Sequence, residues 1–458
     1  MRKALTYITA EKSYLKLLLL HVVIGGLLLM YRPLGKVYFL IVLGYFLWKI
    51  LSSKPREQTM NVLLGCAYLT GAEVLFRMTK GSLAYEASKY LVILFMSIGI
   101  FYKGISGKAY PYFICLILLI PSVIIASMTL RLETDFRNSV VFVLSGPVCL
   151  CIAALFCMDR KVSFKQLMDL LIYMLLPLVS TTVYLFLYNP SIKDALSGTA
   201  SNSAASGGFG PNQVSTILGL GMFIMVVRLF LRSPSFLSKL FNLALLGAMS
   251  FRAIVTFSRG GIFAAIIVIG AFLWSLFFRA SSRHKTQITG SLVLLILGAS
   301  MTWVISSTQT MGLIDKRYAN EDALGREKGD ISTGRLDLFV DALDGFLEHP
   351  FIGVGASRVK DMRAERTGVN LPSHNEVGRL LAEHGVLGII ILLLLIFTPI
   401  IYYSNHKKNV FFYAFLCFWF ATINHSGMRI AAPSFIYALT LLNITNEKRP
   451  IHRQQLKA

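Results

Sequence analysis

Residues 373–403 read SHNEVGRLLAEHGVLGIIILLLLIFTPIIYY. A polar opening, Ser-His-Asn-Glu, passes through Glu383-His384-Gly385-Val386-Leu387-Gly388 into a long apolar run. Behind it lies Ile305 to Arg379, by far the longest polar segment of the chain. Elsewhere one apolar run follows another, most of them about 17–22 residues, the length a helix needs to cross a bilayer. Apolar residues make up 55% of the 458 and charged residues only 15%, with a mean hydropathy of +0.64. Soluble domains are about a quarter charged, so this deficit points to a bilayer as the solvent. The reading is an all-α, polytopic integral membrane protein with about 12–14 transmembrane helices and one large periplasmic loop containing helices.

The apolar runs predict spans at 15–31, 36–51, 60–78, 88–102, 110–130, 138–158, 165–188, 212–232, 237–257, 260–278, 287–305, 379–403, 410–425 and 430–444. They divide the chain into N-terminal transmembrane helices (1–188), central helices (189–305), the large loop (306–378), and C-terminal helices with a cytoplasmic tail (379–458). The first run follows Arg2, Lys3, Lys12 and Lys16 like the front of a signal peptide, but no small-x-small cleavage site follows it, so it reads as a retained span.

The net charge of +22 does not imply a nucleic-acid partner, because the cations punctuate the spans and form no basic helix or aromatic-interleaved patch. With the N-terminus inside, the cytoplasmic connections hold Lys54, Arg56, Lys103, Lys108, Arg160, Lys161, Arg232, Lys239, Arg279, Arg283, Lys285, Lys407 and Lys408. The tail adds Lys448, Arg449, Arg453 and Lys457. The positive-inside rule therefore favours both termini inside. The same alternation gathers residues 189–212, the turn at Arg259, the loop 306–378 and the turn 425–430 on the outer side. The first of these is rich in Ser, Gly and Ala and reads as mobile. The six cysteines all lie inside apolar runs without metal spacing, and read as small buried residues.

Several polar residues stand out against this background. Arg259, in Thr256-Phe257-Ser258-Arg259-Gly260-Gly261, could simply snorkel to the headgroups. Snorkelling, however, does not call for a serine before it and two glycines after it, and that setting suits phosphate, with helix N-terminal amides beside the guanidinium. Arg252 lies about two turns earlier on the same face, where an unpaired charge is costly. Arg335 opens a stretch, 334–343, with apolar residues at helical spacing, predicting an amphipathic helix at the interface that ends at His349-Pro350. His374 is a base suited to neutral pH beside the carboxamide of Asn375 and the acid of Glu376. Glu73 and Arg77, four apart in an apolar run, read as a structural pair. Asn424, His425 and Arg429 are secondary candidates. His374 and His384 are ten apart with no ligand-spaced partner, so no metal is expected, and no cofactor.

His374-Asn375, nine residues, then Gly385-x-x-Gly388 resembles the His-[Asn/Ser/Gln]-x9-Gly-x-x-[Gly/Thr/Tyr] pattern of the O-antigen ligase and polymerase superfamily. Ser258-Arg259-Gly260 is similar to that family's first arginine site. Gly334-Arg335-x-x-x-Phe339 with His349-Pro350-x-x-Gly353-x-Gly355 is similar to its loop signature, with Phe339 where an Arg-x-x-x-Leu form has Leu. The resemblance covers roughly residues 210–400. It implies a metal-independent bacterial glycosyltransferase that moves glycans from undecaprenyl diphosphate on the periplasmic face of the inner membrane. Arg259 and Arg335 would bind the diphosphate and His374 would act as general base, with Arg252, Ser258, Asn375, Glu376 and Arg429 in support. The acceptor would be a lipid A-core sugar in a ligase or a second lipid-linked repeat in a polymerase. Some members glycosylate protein, which the absence of an appended outer domain disfavours. A lipid-linked sugar transporter is the rival from another class, but no paired inverted halves are visible.

Overall fold

The computed structural model describes residues 11–131, 133–189, 191–196, 198–233, 235–330, 332, 334–368 and 374–445. Leu371-Pro372-Ser373, leading to His374, and the charges at Arg2, Lys3, Lys448, Arg449, Arg453 and Lys457 lie outside these residues.

The chain is helical almost throughout: α1 (Glu11–Met30), α2 (Leu34–Leu51), α3 (Pro55–Met78), α4 (Ala87–Lys103), α5 (Tyr110–Thr129), α6 (Phe136–Cys157), α7 (Phe164–Tyr188), the short α8 (Ile192–Ala195), α9 (Pro211–Leu231), α10 (Phe236–Ile254), α11 (Arg259–Arg279) and α12 (Ser282–Gln309). The loop region holds α13 (Leu313–Tyr318), α14 (Arg335–Glu348), α15 (Arg358–Thr367) and α16 (Glu376–His384), and α17 (Val386–Asn405), α18 (Phe412–His425) and α19 (Ala431–Leu439) complete the chain. Among the described residues eleven helices are long and apolar enough to cross a membrane, which makes this a multi-pass membrane protein. Three further predicted spans correspond to shorter helices, α4, α18 and α19, of 17, 14 and 9 residues.

The bundle is built around α3, in which every residue from Met60 to Met78 is buried. A helix buried on all sides belongs in the centre, and α7 packs along it with α1, α4 and α9 around the pair. One end of the bundle is tied by a short parallel pairing of β1 (Lys161–Ser163) with β2 (Asn443–Thr445). At the same end Lys108, Tyr402 and Asn443 each donate to the Asp159 carboxylate at 2.9 Å. These residues come from connections that the charge pattern places together.

Two expectations are corrected. The run 379–403 is not one span: it breaks at Gly385, whose φ of +62° and ψ of −138° take the chain out of helix between α16 and α17. α16 then lies against α17 so closely that a Cβ on Gly388 would sit 2.0 Å from the Leu380 carbonyl oxygen. The two glycines of the motif thus have separate causes, a left-handed turn at Gly385 and backbone contact at Gly388. The described residues of the 189–212 segment are tied to distant parts of the chain rather than loose. Asn202 N–H donates to the Thr256 carbonyl at 3.3 Å, and buried Thr199 donates to the Glu321 carbonyl at 2.9 Å. Composition cannot show such long-range bonds.

Candidate active site

The site forms at the end of the bundle opposite the β pairing, where α11 begins. Phe257, buried and left-handed at φ +58°, turns the chain from α10 toward Ser258 and α11. A bulky residue in that region is strained and persists only where the surroundings hold it. Here Arg317 Nε, from α13, donates to the Phe257 carbonyl at 3.3 Å. Ser258 Oγ donates to Asn212 Oδ1 at 2.8 Å, and Ser215 Oγ donates to the Ser258 carbonyl at 3.3 Å. Ser258 therefore fastens α11 to the start of α9. The two glycines after Arg259 serve close packing: a Cβ on Gly260 would meet the His425 ring at 2.7 Å, and one on Gly261 would meet Ser215 Oγ at 2.0 Å.

Arg259 opens α11, Arg335 opens α14, and Arg317 lies in α13 between them in sequence. The three guanidinium groups are mutually within electrostatic reach. Burial, then Arg259 and then Arg335, push the Arg317 pKa below its ordinary value, and burial followed by Arg259 does the same to Arg335. Among the described residues no carboxylate lies within ion-pair distance of Arg317 or Arg335. The nearby Asp330 accepts from Ser332 N and Oγ at 2.7 and 2.6 Å, and from Gly334 N, so its carboxylate is occupied in shaping the turn before α14. The sequence reading missed Arg317, because a Lys-Arg-Tyr triplet in a polar loop carries no motif.

α14 is the expected amphipathic helix. Phe339, the departure from the Leu form, packs its ring against Gly378 of α16, while Ala342 of α14 clusters with Val354 and Ala382. This fixes Arg335 relative to the helix that follows His374. Asn375 is the N-cap of α16, its Oδ1 accepting from Gly378 N–H at 3.1 Å. Glu376 is buried and bound by Arg379, which also donates to Glu383 at 2.5 Å. Both neighbours of the imidazole thus build the helix it precedes.

His374 meets the last turn of the bundle. Arg429 Nη1 donates toward His374 Nε2 at 3.4 Å, and the Arg429 guanidinium lies over the Phe142 ring, 5.7 Å from its centroid. His425, whose Nε2 is 3.1 Å from Thr216 Oγ1, lies within electrostatic reach of both Arg335 and His374. These contacts bring Arg259, Arg335, His374 and Arg429 into one region, as the topology expected. Arg252 stands apart: its Nη2 donates to the Ala205 carbonyl at 3.1 Å, and its charge lies over Phe186, pinning the 204–206 turn.

From Gly260, Arg335 and His425 a cavity of about 690 Å³ runs between α11, α17 and α18, lined by Phe263, Ile267, Ile396 and Trp419. It is polar at the guanidinium end and apolar along its length. Phe263 and Phe420 are exposed on its flank. Among the described residues no cluster of His, Cys, Asp or Glu could hold a metal ion.

A search of curated proteins finds no match. Residues 243–393 match the family model described as O-antigen ligase, a segment that contains the Ser258-Arg259-Gly260 turn, Arg317, Arg335, His374 and the Gly385–Gly388 break. Over residues 243–393, from α10 into α17, the chain is thus similar to an O-antigen ligase domain.

Proposed function

We propose that this protein transfers a glycan from undecaprenyl diphosphate to an acceptor hydroxyl, a lipid A-core sugar, at the periplasmic face of the inner membrane. The observation that carries this reading is Arg335 in the lining of a largely apolar cavity, with Arg259 and Arg317 within electrostatic reach of it. Like charges gathered without a partner carboxylate on Arg317 or Arg335 call for an anionic ligand, and guanidinium forks match phosphate oxygens. The apolar cavity beyond them suits a polyprenyl chain, and its exposed aromatic flank would let that chain enter sideways from the bilayer.

In the reaction the acceptor oxygen attacks the anomeric carbon while His374 takes the hydroxyl proton. The bond from that carbon to the diphosphate breaks and undecaprenyl diphosphate leaves, with inversion at the anomeric centre. Negative charge grows on the leaving phosphate, where fixed guanidinium groups stabilise it most. A general base of this kind contributes about 10²–10⁴-fold.

The test uses purified protein with undecaprenyl-diphosphate glycan, with and without lipid A-core, comparing wild type with His374→Ala. Glycosylated lipid A-core that disappears in the variant supports the ligase. Longer lipid-linked chains made without that acceptor would replace it with a polymerase at the same site. Movement of the intact lipid across a vesicle membrane, with no product, would sink the transferase reading.

A further inference from the structure

Glu73 and Arg77, at the end of α3, are half of a larger buried cluster. Arg77 Nη2 lies 2.5 Å from Glu73 Oε1 and 3.4 Å from Glu86 Oε2, and Lys89 Nζ lies 2.5 Å from Glu86 Oε2. The signs cancel, and all four side chains are excluded from solvent. Holding α3 to α4 does not require this, because buried ion pairs return little net stability over apolar packing.

Three of the four residues do something else. Lys89 Nζ donates to the Met428 carbonyl at 3.4 Å, Arg77 Nη2 donates to the Arg429 carbonyl at 3.1 Å, and Glu73 Oε2 accepts from the Ala431 N–H at 2.6 Å. The cluster therefore grips the backbone on both sides of Arg429, in the non-helical turn between α18 and α19. Lys89 is itself anchored on Ser145 Oγ at 2.7 Å. Gly146 beside it lets the turn approach: a Cβ there would sit 2.4 Å from Met428 Cβ and 2.6 Å from its carbonyl oxygen. The far side of the turn faces His374 and Glu376, from which a Cβ on Gly427 would stand 4.0 and 3.4 Å.

We propose that Glu73, Arg77, Glu86 and Lys89 are positioning residues that hold the Arg429 turn, and through it set the Arg429 guanidinium against the His374 imidazole. The proposal deepens the reading of His374 as the base and rests on it. Among the described residues none of the four lines the cavity or pairs with Arg317 or Arg335, so the cluster acts on turnover and leaves donor binding alone.

The experiment measures transfer by full-length protein in proteoliposomes, with the folded fraction checked by thermal unfolding. Lys89→Met lowers kcat roughly 10- to 100-fold, the scale of a small misplacement at a reacting centre, while donor KM stays constant. Lys89→Arg recovers most of the loss. In an Arg429→Gln background Lys89→Met costs nothing more, because the two act through one contact. Should Lys89→Met not fold, Gly146→Ala pushes the same turn without removing a charge and gives the same split. Wild-type kcat in a folded Lys89→Met or Gly146→Ala protein, or independent losses in the double variant, overturns the proposal. Failure of the underlying reading looks different, since His374→Ala would then retain transfer.

Discussion

Gly388→Ala is a one-methyl perturbation whose consequence follows from geometry. The added Cβ would lie 2.0 Å from the Leu380 carbonyl oxygen, 2.6 Å from its carbon and 3.2 Å from His384 Cβ. The nearest obstacle is backbone, so no side-chain rotation relieves it. Restoring ordinary contact requires α16 and α17 to part by on the order of 1 Å, an overpacking change that typically costs about 1–3 kcal/mol. α16 also carries Asn375 at its cap, and His374 immediately precedes it, so the displacement reaches the imidazole. A misplacement of about 1 Å at a reacting group lowers rates by roughly 10²-fold. The assay is the initial rate of glycan transfer together with thermal unfolding in detergent. Gly270→Ala on α11, where a Cβ meets nothing within 4 Å, is the control and should be neutral or slightly stabilising. A Gly388→Ala protein with wild-type rate and unfolding temperature, or equal damage from Gly270→Ala, would refute the account of the second motif glycine as a point of helix contact.

Arg317→Met should weaken binding of undecaprenyl diphosphate, measured by thermophoresis, by roughly 10- to 150-fold, the equivalent of about 1.5–3 kcal/mol for a hydrogen bond to a charged group. Arg317→Lys should recover part of this through charge while still lacking the Nε bond to Phe257; equal affinity in all three proteins would remove Arg317 from the diphosphate site. Ala421→Trp places an indole in the cavity and should raise KM for the long-chain donor about tenfold or more, with little effect on a donor bearing a short prenyl chain. Equal effects on both donors would show that the cavity does not take the lipid. Arg252→Met should lower the unfolding temperature, because a buried bond to the 204–206 turn is lost, and leave KM for the donor unchanged once folded fractions are matched. A selective rise in KM would instead place Arg252 at the ligand.

The all-helical, membrane-spanning class was legible from run length and charge deficit alone, because a bilayer imposes those on any chain that crosses it. The spacing around Arg259, Arg335 and His374 was equally legible, since motif residues keep their order along the chain, and the matched family segment spans all three. What the sequence could not supply were the relations between distant segments. Arg317 reads as an ordinary loop cation until the fold sets it under Phe257 and beside two other guanidinium groups. Glu86 and Lys89 belong to no motif, and only packing closes them with Glu73 and Arg77 around the backbone of residue 429, more than three hundred positions away. Asn375 and Glu376 invited a chemical reading by adjacency to His374, whereas the structure uses one to cap α16 and the other to neutralise Arg379. Local composition fixes which residues enter the membrane, because the solvent acts on each segment separately. Which polar groups meet depends on how helices cross and how closely glycines let them approach, and that is decided only when the whole bundle packs.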